Sequence, residues 1–190
     1  MEPRPDLSSA ASHLASLVER VPDDALDRPT PCEGYAVRDL LAHIGGLAVG
    51  FRTTAVKRPV PPPAQGEDLR LDDGWRAQIP RDLQAMADAW AEPSAWEGMT
   101  EAGGVALPGE VAGLVGLGEL VIHGWDLARA TGGEAYDGPE LAAVLPMAEQ
   151  FQELGPDGPY GPRVAVSDDA PLLDRILGAT GREPGWRLPA

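Results

Sequence analysis

The sequence predicts an all-α protein, a bundle of four main helices joined by short connections. Three observations carry that prediction. Apolar residues recur at helical spacing in successive stretches, segments rich in proline and glycine separate them, and little of the chain alternates apolar with polar as a strand would. Short connections between amphipathic helices favour antiparallel neighbours, so an antiparallel bundle is the natural packing.

The first helix is expected over about 6–21, where Leu7, Leu14, Leu17, Val18 and Val21 make one stripe and Pro22 closes it. "RPTPCEGY" (28–35) is irregular, because two prolines remove donors and Gly34 permits a turn. A second helix spans about 36–56 on Val37, Leu40, Leu41, Ile44 and Leu47. Its Gly45-Gly46 pair costs about 1 kcal/mol per glycine relative to alanine, which points to close backbone packing. "KRPVPPPAQGED" (57–68) is a loop whose prolines allow only extended geometry. A third helix covers about 74–91 with Ile79, Leu83, Met86 and Trp90, its regular part starting near Pro80 with that proline in the first turn. Residues 92–107 are irregular or a short hairpin. Pro108 opens the fourth and most apolar helix, which Gly132-Gly133 stops after Thr131. A fifth spans about 139–154, kinked at Pro146. The tail holds a loop, a short extended run and a last helix introduced by "SDDAP", with N-cap residues and first-turn acids. One domain is expected over 1–190, with the bundle at about 6–154 and a C-terminal extension of short helices at about 155–190.

The charge narrows the partners. Thirty acidic residues face 15 basic ones, a net charge of −15 that repels nucleic acid and anionic membranes, and the plain role of such acidity is solubility. Cys32 is the only cysteine, so no intrachain disulfide forms; with no signal peptide this predicts a reducing cytoplasm. No stretch is expected to cross a bilayer, which takes about 20 apolar residues. A monomer or homodimer is expected.

Chemistry concentrates in "GELVIHGWDLARATG" (118–132). Glu119 and His123 are i and i+4, on one helix face one turn apart. Leu114, Val115, Leu117, Leu120, Val121 and Ile122 surround them, and a helix apolar almost all round is mostly buried. A buried glutamate needs a partner. It is a hydrogen-bonded core pair, a lone acid of raised pKa, or half of a metal site, and spacing alone favours the plain pair. His43, in "VRDLLAHIGG", lies on the apolar side of the second helix, where alone it would be a core histidine. Together, one histidine from that helix and the Glu119/His123 pair make a three-ligand site between facing helices. Two imidazoles and a carboxylate suit zinc, nickel or iron(II), and three protein ligands leave positions open, as in catalytic zinc sites. Around them, Asp126 either orients the His123 imidazole or pairs with Arg129 on the surface. Trp125 is a core residue, and His13 a boundary residue. Cys32, tempting as a nucleophile or fourth ligand, has no adjacent base and is taken as packing; Arg38, Asp39 and the acids of 66–73 are solvated.

"TPCEGYAVRDLLAHIGG" (30–46), "AWEGMTEAGGVALPGEVAGLVGLGELVIHGWDLARATG" (95–132) and "YGPRVAVSDDAPLLDRILGATGREPGW" (160–186) resemble an actinobacterial metal-binding family of the DinB-like superfamily. That family is close to the N-terminal domain of the mycothiol-dependent maleylpyruvate isomerases. The resemblance covers almost the whole chain and fails near 57–75. It implies a DinB-like four-helix bundle holding a divalent metal, usually zinc, through His43, Glu119 and His123. It further implies mycothiol, a low-molecular-weight thiol, as cosubstrate, and a small electrophilic substrate undergoing S-transfer or cis–trans isomerisation. A non-catalytic metal- or small-ligand-binding protein of stress response or resistance is the rival, and a purely structural module with a polar core network a third reading. Two departures stand out: Tyr35 replaces the family's usual tryptophan, and 155–190 is short of the ~50 residues of a separate domain, which argues against maleylpyruvate itself.

Overall fold

The structure, a computed structural model, describes residues 4–59, 69–155 and 158–189. Most of the proline loop expected at 57–68 lies outside the described residues. Helices α1 (Ser8–Glu19), α2 (Val37–Ala55), α3 (Trp75–Ala91) and α4 (Gly109–Thr131) form the bundle. α1 packs on α3 and α4, and α2 packs on the same two, so each helix buries its stripe between two neighbours. α5 (Leu141–Gln152) lies against α4 outside this set, and α6 (Leu172–Ala179) lies against α5.

α4 is the central element. By length and composition it meets the requirement for a membrane span, contrary to the expectation from sequence, and what accounts for its apolarity is burial inside the protein. Leu117, Val121 and Leu127 have no exposure, and Trp125 has almost none. Gly132 ends the helix at φ 82°, with its N–H and that of Gly133 both donating to Ala128 O at 2.9 Å.

Glycines on α4 admit large neighbours. A Cβ at Gly113 would sit 2.5 Å from the Trp96 ring and 2.9 Å from that of Trp90. Both rings are pinned: Trp90 Nε1 donates to Phe51 O at 3.0 Å and Trp96 Nε1 to Trp90 O at 2.7 Å. Gly113→Ala is therefore expected to lower stability by about 1–3 kcal/mol despite its better helix propensity, a loss that urea unfolding measures. In α2 the glycine pair divides. A Cβ at Gly45 would press on Ile79 of α3 at 3.3 Å, whereas one at Gly46 meets nothing.

Two sequence expectations, the start of α3 and the cap of α6, are revised. α3 begins at Trp75, five residues before Pro80. Its first turn is held from outside, by Arg76 donating to Glu19 O (3.0 Å) and Val21 O (2.7 Å) and pairing with Asp23, and this tolerates the backbone bond that Pro80 lacks. The "SDDAP" residues do not cap α6: Pro171 stands at its N-cap, and Ser167 closes a turn by accepting from Ala170 N–H. The run before α6 is not a strand and makes one backbone bond to it, Val164 N–H to Gly178 O. α5 holds Pro146 within its span.

Between α3 and α4 the hairpin alternative holds. β1 (Met99–Ala102) pairs antiparallel with β2 (Val105–Pro108) around Gly103-Gly104, whose φ angles of 58° and 83° are those of a tight hairpin turn. Two threonine bonds tie it to the end of α2: Thr100 Oγ1 to Thr54 O at 2.7 Å and Thr54 Oγ1 to Glu101 O at 2.8 Å. This brings Ala102 and Gly103 to the rim of a cavity opening beside α2 and α4.

Candidate metal centre

His43 projects from α2 between the fully buried Leu40 and Leu41 and the buried Ile44. Packing of these leucines fixes the rotation of α2 and aims the imidazole at α4. Across the gap, Glu119 and His123 share one face of α4, and the His43 and His123 rings meet edge to face with centroids 4.9 Å apart. One donor atom from each of His43, Glu119 and His123 lies within 4.8 Å of the others. His123 Nε2 is 3.0 Å from Glu119 Oε2, close to the roughly 3.3 Å between two ligands on a tetrahedral ion with ~2.0 Å bonds.

Behind His123, Asp126 Oδ2 accepts from Nδ1 at 3.0 Å. Asp126 is wholly buried, and the same oxygen accepts from Arg182 Nη2 at 3.2 Å. The surface pairing with Arg129 does not form: Arg129 lies over the Trp125 ring, 5.4 Å from its centroid, and reaches Pro184 O at 3.5 Å. A histidine whose far nitrogen is held by a carboxylate keeps its near nitrogen aimed and basic, the arrangement metal-ligating histidines adopt. Two imidazoles and a carboxylate on facing helices, with His123 already braced, thus fit a divalent ion.

Metal-free, this cluster is strongly coupled. Burial alone would depress the His123 pKa, but the hydrogen bonds from Asp126 and Glu119 outweigh it and raise it to about 9. Burial likewise opposes the charge on Glu119, yet the His123 bond and its charge hold that carboxyl below its ordinary value. His43, lacking a carboxylate partner, is pushed down to about 4 by burial and by the charge of His123. The signs give a pH profile. The His123 contribution is present below its unfolded value near 6.5 and is lost as pH rises through about 9. His43 opposes folding as pH falls from 6.5 towards 4, where the folded state resists the proton that the unfolded chain takes. The urea midpoint of metal-free protein is expected to be highest near neutral pH and to fall on both sides. Saturating zinc should abolish the alkaline fall, because the ligand form of His123 is the neutral one.

A cavity of about 500 Å³ opens onto the cluster, walled by Leu47, Phe51, Val115 and Ile122 and by Cys32, Tyr35, Tyr160 and Arg182. Cys32 lies near His123 and Asp126 rather than in the His43 group, and Arg182 Nη2 stands 3.8 Å from its sulfur. A guanidinium there repels a second cation. Burial, and then the charge of Asp126, push the Cys32 thiol up to about 11, so it stays protonated. His13 sits at the boundary, its Nε2 3.0 Å from Glu134 O. Asp39 is drawn in as a cap, accepting from Ala36 N–H at 3.0 Å, while Arg38 pairs with Asp27 at 2.5 Å.

Tyr160 and Arg182 escaped the sequence reading. Both come from the tail, so the short extension helps shape the cavity. The tail has little periodicity at these positions. The only available signal was their presence in the 160–186 segment that carried the resemblance.

Comparison with known proteins agrees with this architecture. Residues 7–128 match the family model described as the mycothiol maleylpyruvate isomerase N-terminal domain. Two uncharacterized proteins of Mycobacterium tuberculosis, from different strains, are each 30% identical over 96% of this chain and 98% of their own length. The crystal structure of a histidine-to-alanine mutant of the mycothiol-dependent maleylpyruvate isomerase superposes with a TM-score of 0.66 at 17% identity, covering 94% of this chain and 88% of that one. A second crystal structure of mycothiol-dependent maleylpyruvate isomerase gives 0.62 at 16%, covering 95% and 89%. At such identities the likeness is one of fold, and its span takes in the tail as well as the bundle. With the family model matched over most of the bundle, the chain belongs to the mycothiol maleylpyruvate isomerase N-terminal domain family.

Proposed function

We propose that this protein is a divalent-metal-dependent enzyme that activates mycothiol and adds it to a small electrophile, as an S-transferase or as a cis–trans isomerase. The observation that carries the proposal is the convergence of His43, Glu119 and His123 at a cavity of about 500 Å³, with His123 braced by a buried carboxylate. A divalent ion held by these three residues, zinc by preference with nickel or iron(II) also compatible, supplies Lewis acidity that lowers the pKa of a thiol or water.

The chain's own residues do the rest. Asp126 holds the Nδ1 proton of His123 and leaves Nε2 facing Glu119, and Arg182 donates to the same Asp126 oxygen. The largely apolar wall lowers the local dielectric, which strengthens charge interactions beside it. The thiolate sulfur donates its pair to one alkene carbon, and the π pair moves to the carbon beside the carbonyl. Protonation there gives a thioether. If instead the carbanion rotates about the new single bond before that protonation, its electron pair re-forms the π bond as the same thiolate leaves, which gives the trans isomer and regenerates the thiolate. Its single, unpaired cysteine suits a reducing cytoplasm, where a thiol cosubstrate is kept reduced.

Dimethyl maleate distinguishes the two products. Zinc-loaded protein with mycothiol is expected to accelerate its loss at least 100-fold over mycothiol alone, yielding the thioether or dimethyl fumarate, and a chelator should remove the acceleration. Zinc-replete protein that binds mycothiol without turning over any electrophile would support the non-catalytic ligand-binding alternative instead.

A further inference from the structure

Among the described residues lining the cavity, Arg182 is the one fixed cation, and both hydrogens of its Nη2 are engaged. Nη2 donates to Asp126 at 3.2 Å and faces the Cys32 sulfur at 3.8 Å, while Nη1 donates to Thr180 O at 2.9 Å. Nε is buried without a partner. Fork-to-fork seating of a carboxylate needs two parallel N–H groups on one edge of the guanidinium, and both such edges include Nη2. Turning Nη2 to a ligand would leave Asp126, which is wholly buried and whose other oxygen already lacks a partner, with the His123 Nδ1 bond alone and no guanidinium paired to it.

The remaining charges point the same way. Glu33 and Glu119 put two carboxylates in the wall, and the rest of the lining is largely apolar, with Leu47, Phe51, Val115 and Ile122 prominent. With a divalent ion held, its two charges are matched by Glu119 and one thiolate. Arg182 is matched by Asp126, and Glu33 is left over. No positive charge remains for a carboxylate, and the net charge of −15 repels anions at longer range.

We propose that the electrophile taken by this cavity is uncharged, a small ester, ketone or enone with an apolar body, and that carboxylate-bearing electrophiles are rejected. This rests on the thiol-activating reading, and the bond changes are those given for it above.

The test separates selectivity from chemistry. Dimethyl succinate and monomethyl succinate cannot take a thiol and differ by one methyl group and one charge. Calorimetric titration of the zinc-loaded, mycothiol-saturated protein at pH 7 is expected to show the diester binding at least tenfold more tightly. Equal or tighter binding of the monoester, or no binding of the diester, overturns the proposal. With mycothiol present, dimethyl maleate should be preferred over monomethyl maleate by at least tenfold, each rate divided by its uncatalysed rate. Selective diester binding with neither maleate accelerated keeps the selectivity and removes the thiol-activating reading. Glu33→Arg, at an exposed position on the rim, should narrow or reverse the succinate preference by supplying the missing cation. An unchanged preference in that variant counts against the charge argument.

Discussion

His123→Ala and His43→Ala are each expected to weaken zinc binding by at least about 100-fold. Structural zinc sites release about 10 kcal/mol or more on binding, so one ligand in three carries ~3 kcal/mol, or roughly two decades in affinity. Competition with a chromophoric chelator at pH 7 measures the loss. His43→Ala is the more decisive variant, because His43 stands on α2 while the other two residues share α4. A Glu119/His123 pair at 3.0 Å is also what a metal-free core pair would look like, and such a pair has no need of His43. Helical circular dichroism should survive the substitution, since His43 is only partly buried. Undiminished zinc affinity in His43→Ala would leave the three-residue site without support.

Asp126→Ala is expected to act twice. It leaves the Arg182 guanidinium without its buried partner, which costs about 3–5 kcal/mol in the unfolding free energy. It also frees the His123 ring, and loss of such a supporting carboxylate typically lowers metal affinity by about 10–100-fold. The two effects are separable. Combining Asp126→Ala with Arg182→Gln removes the stranded charge, so the urea midpoint should recover part of the loss while zinc affinity stays low. Additive penalties in that double-mutant cycle would show that the Asp126–Arg182 pair contributes no coupling.

The bundle was legible because its helices are amphipathic over long runs. Apolar spacing placed α1, α2 and α4 within a few residues of their observed ends, and Gly132 marked the end of α4. α3 was misplaced at its start because the proline rule is local, whereas the Arg76 contacts that hold the first turn come from the end of α1. The "SDDAP" cap failed for a similar reason: residues suited to a cap were used in a turn before Pro171.

Within the site, the sequence by itself determined which residues of α4 can meet. Spacing of four puts Glu119 beside His123, and spacing of three lets Asp126 reach the same imidazole, because helix geometry fixes both without any tertiary information. It also placed His43 on the buried side of α2. Only the tertiary structure decided the rest. It brought His43 across to α4, chose Arg182 over Arg129 as the partner of Asp126, and closed the cavity with Tyr160 from an irregular tail. The physical reason is that local periodicity lists the partners a side chain can reach along its own helix. Which distant residue wins a buried charge depends on how the chain folds back, and 56 residues separate Asp126 from the guanidinium that pairs with it.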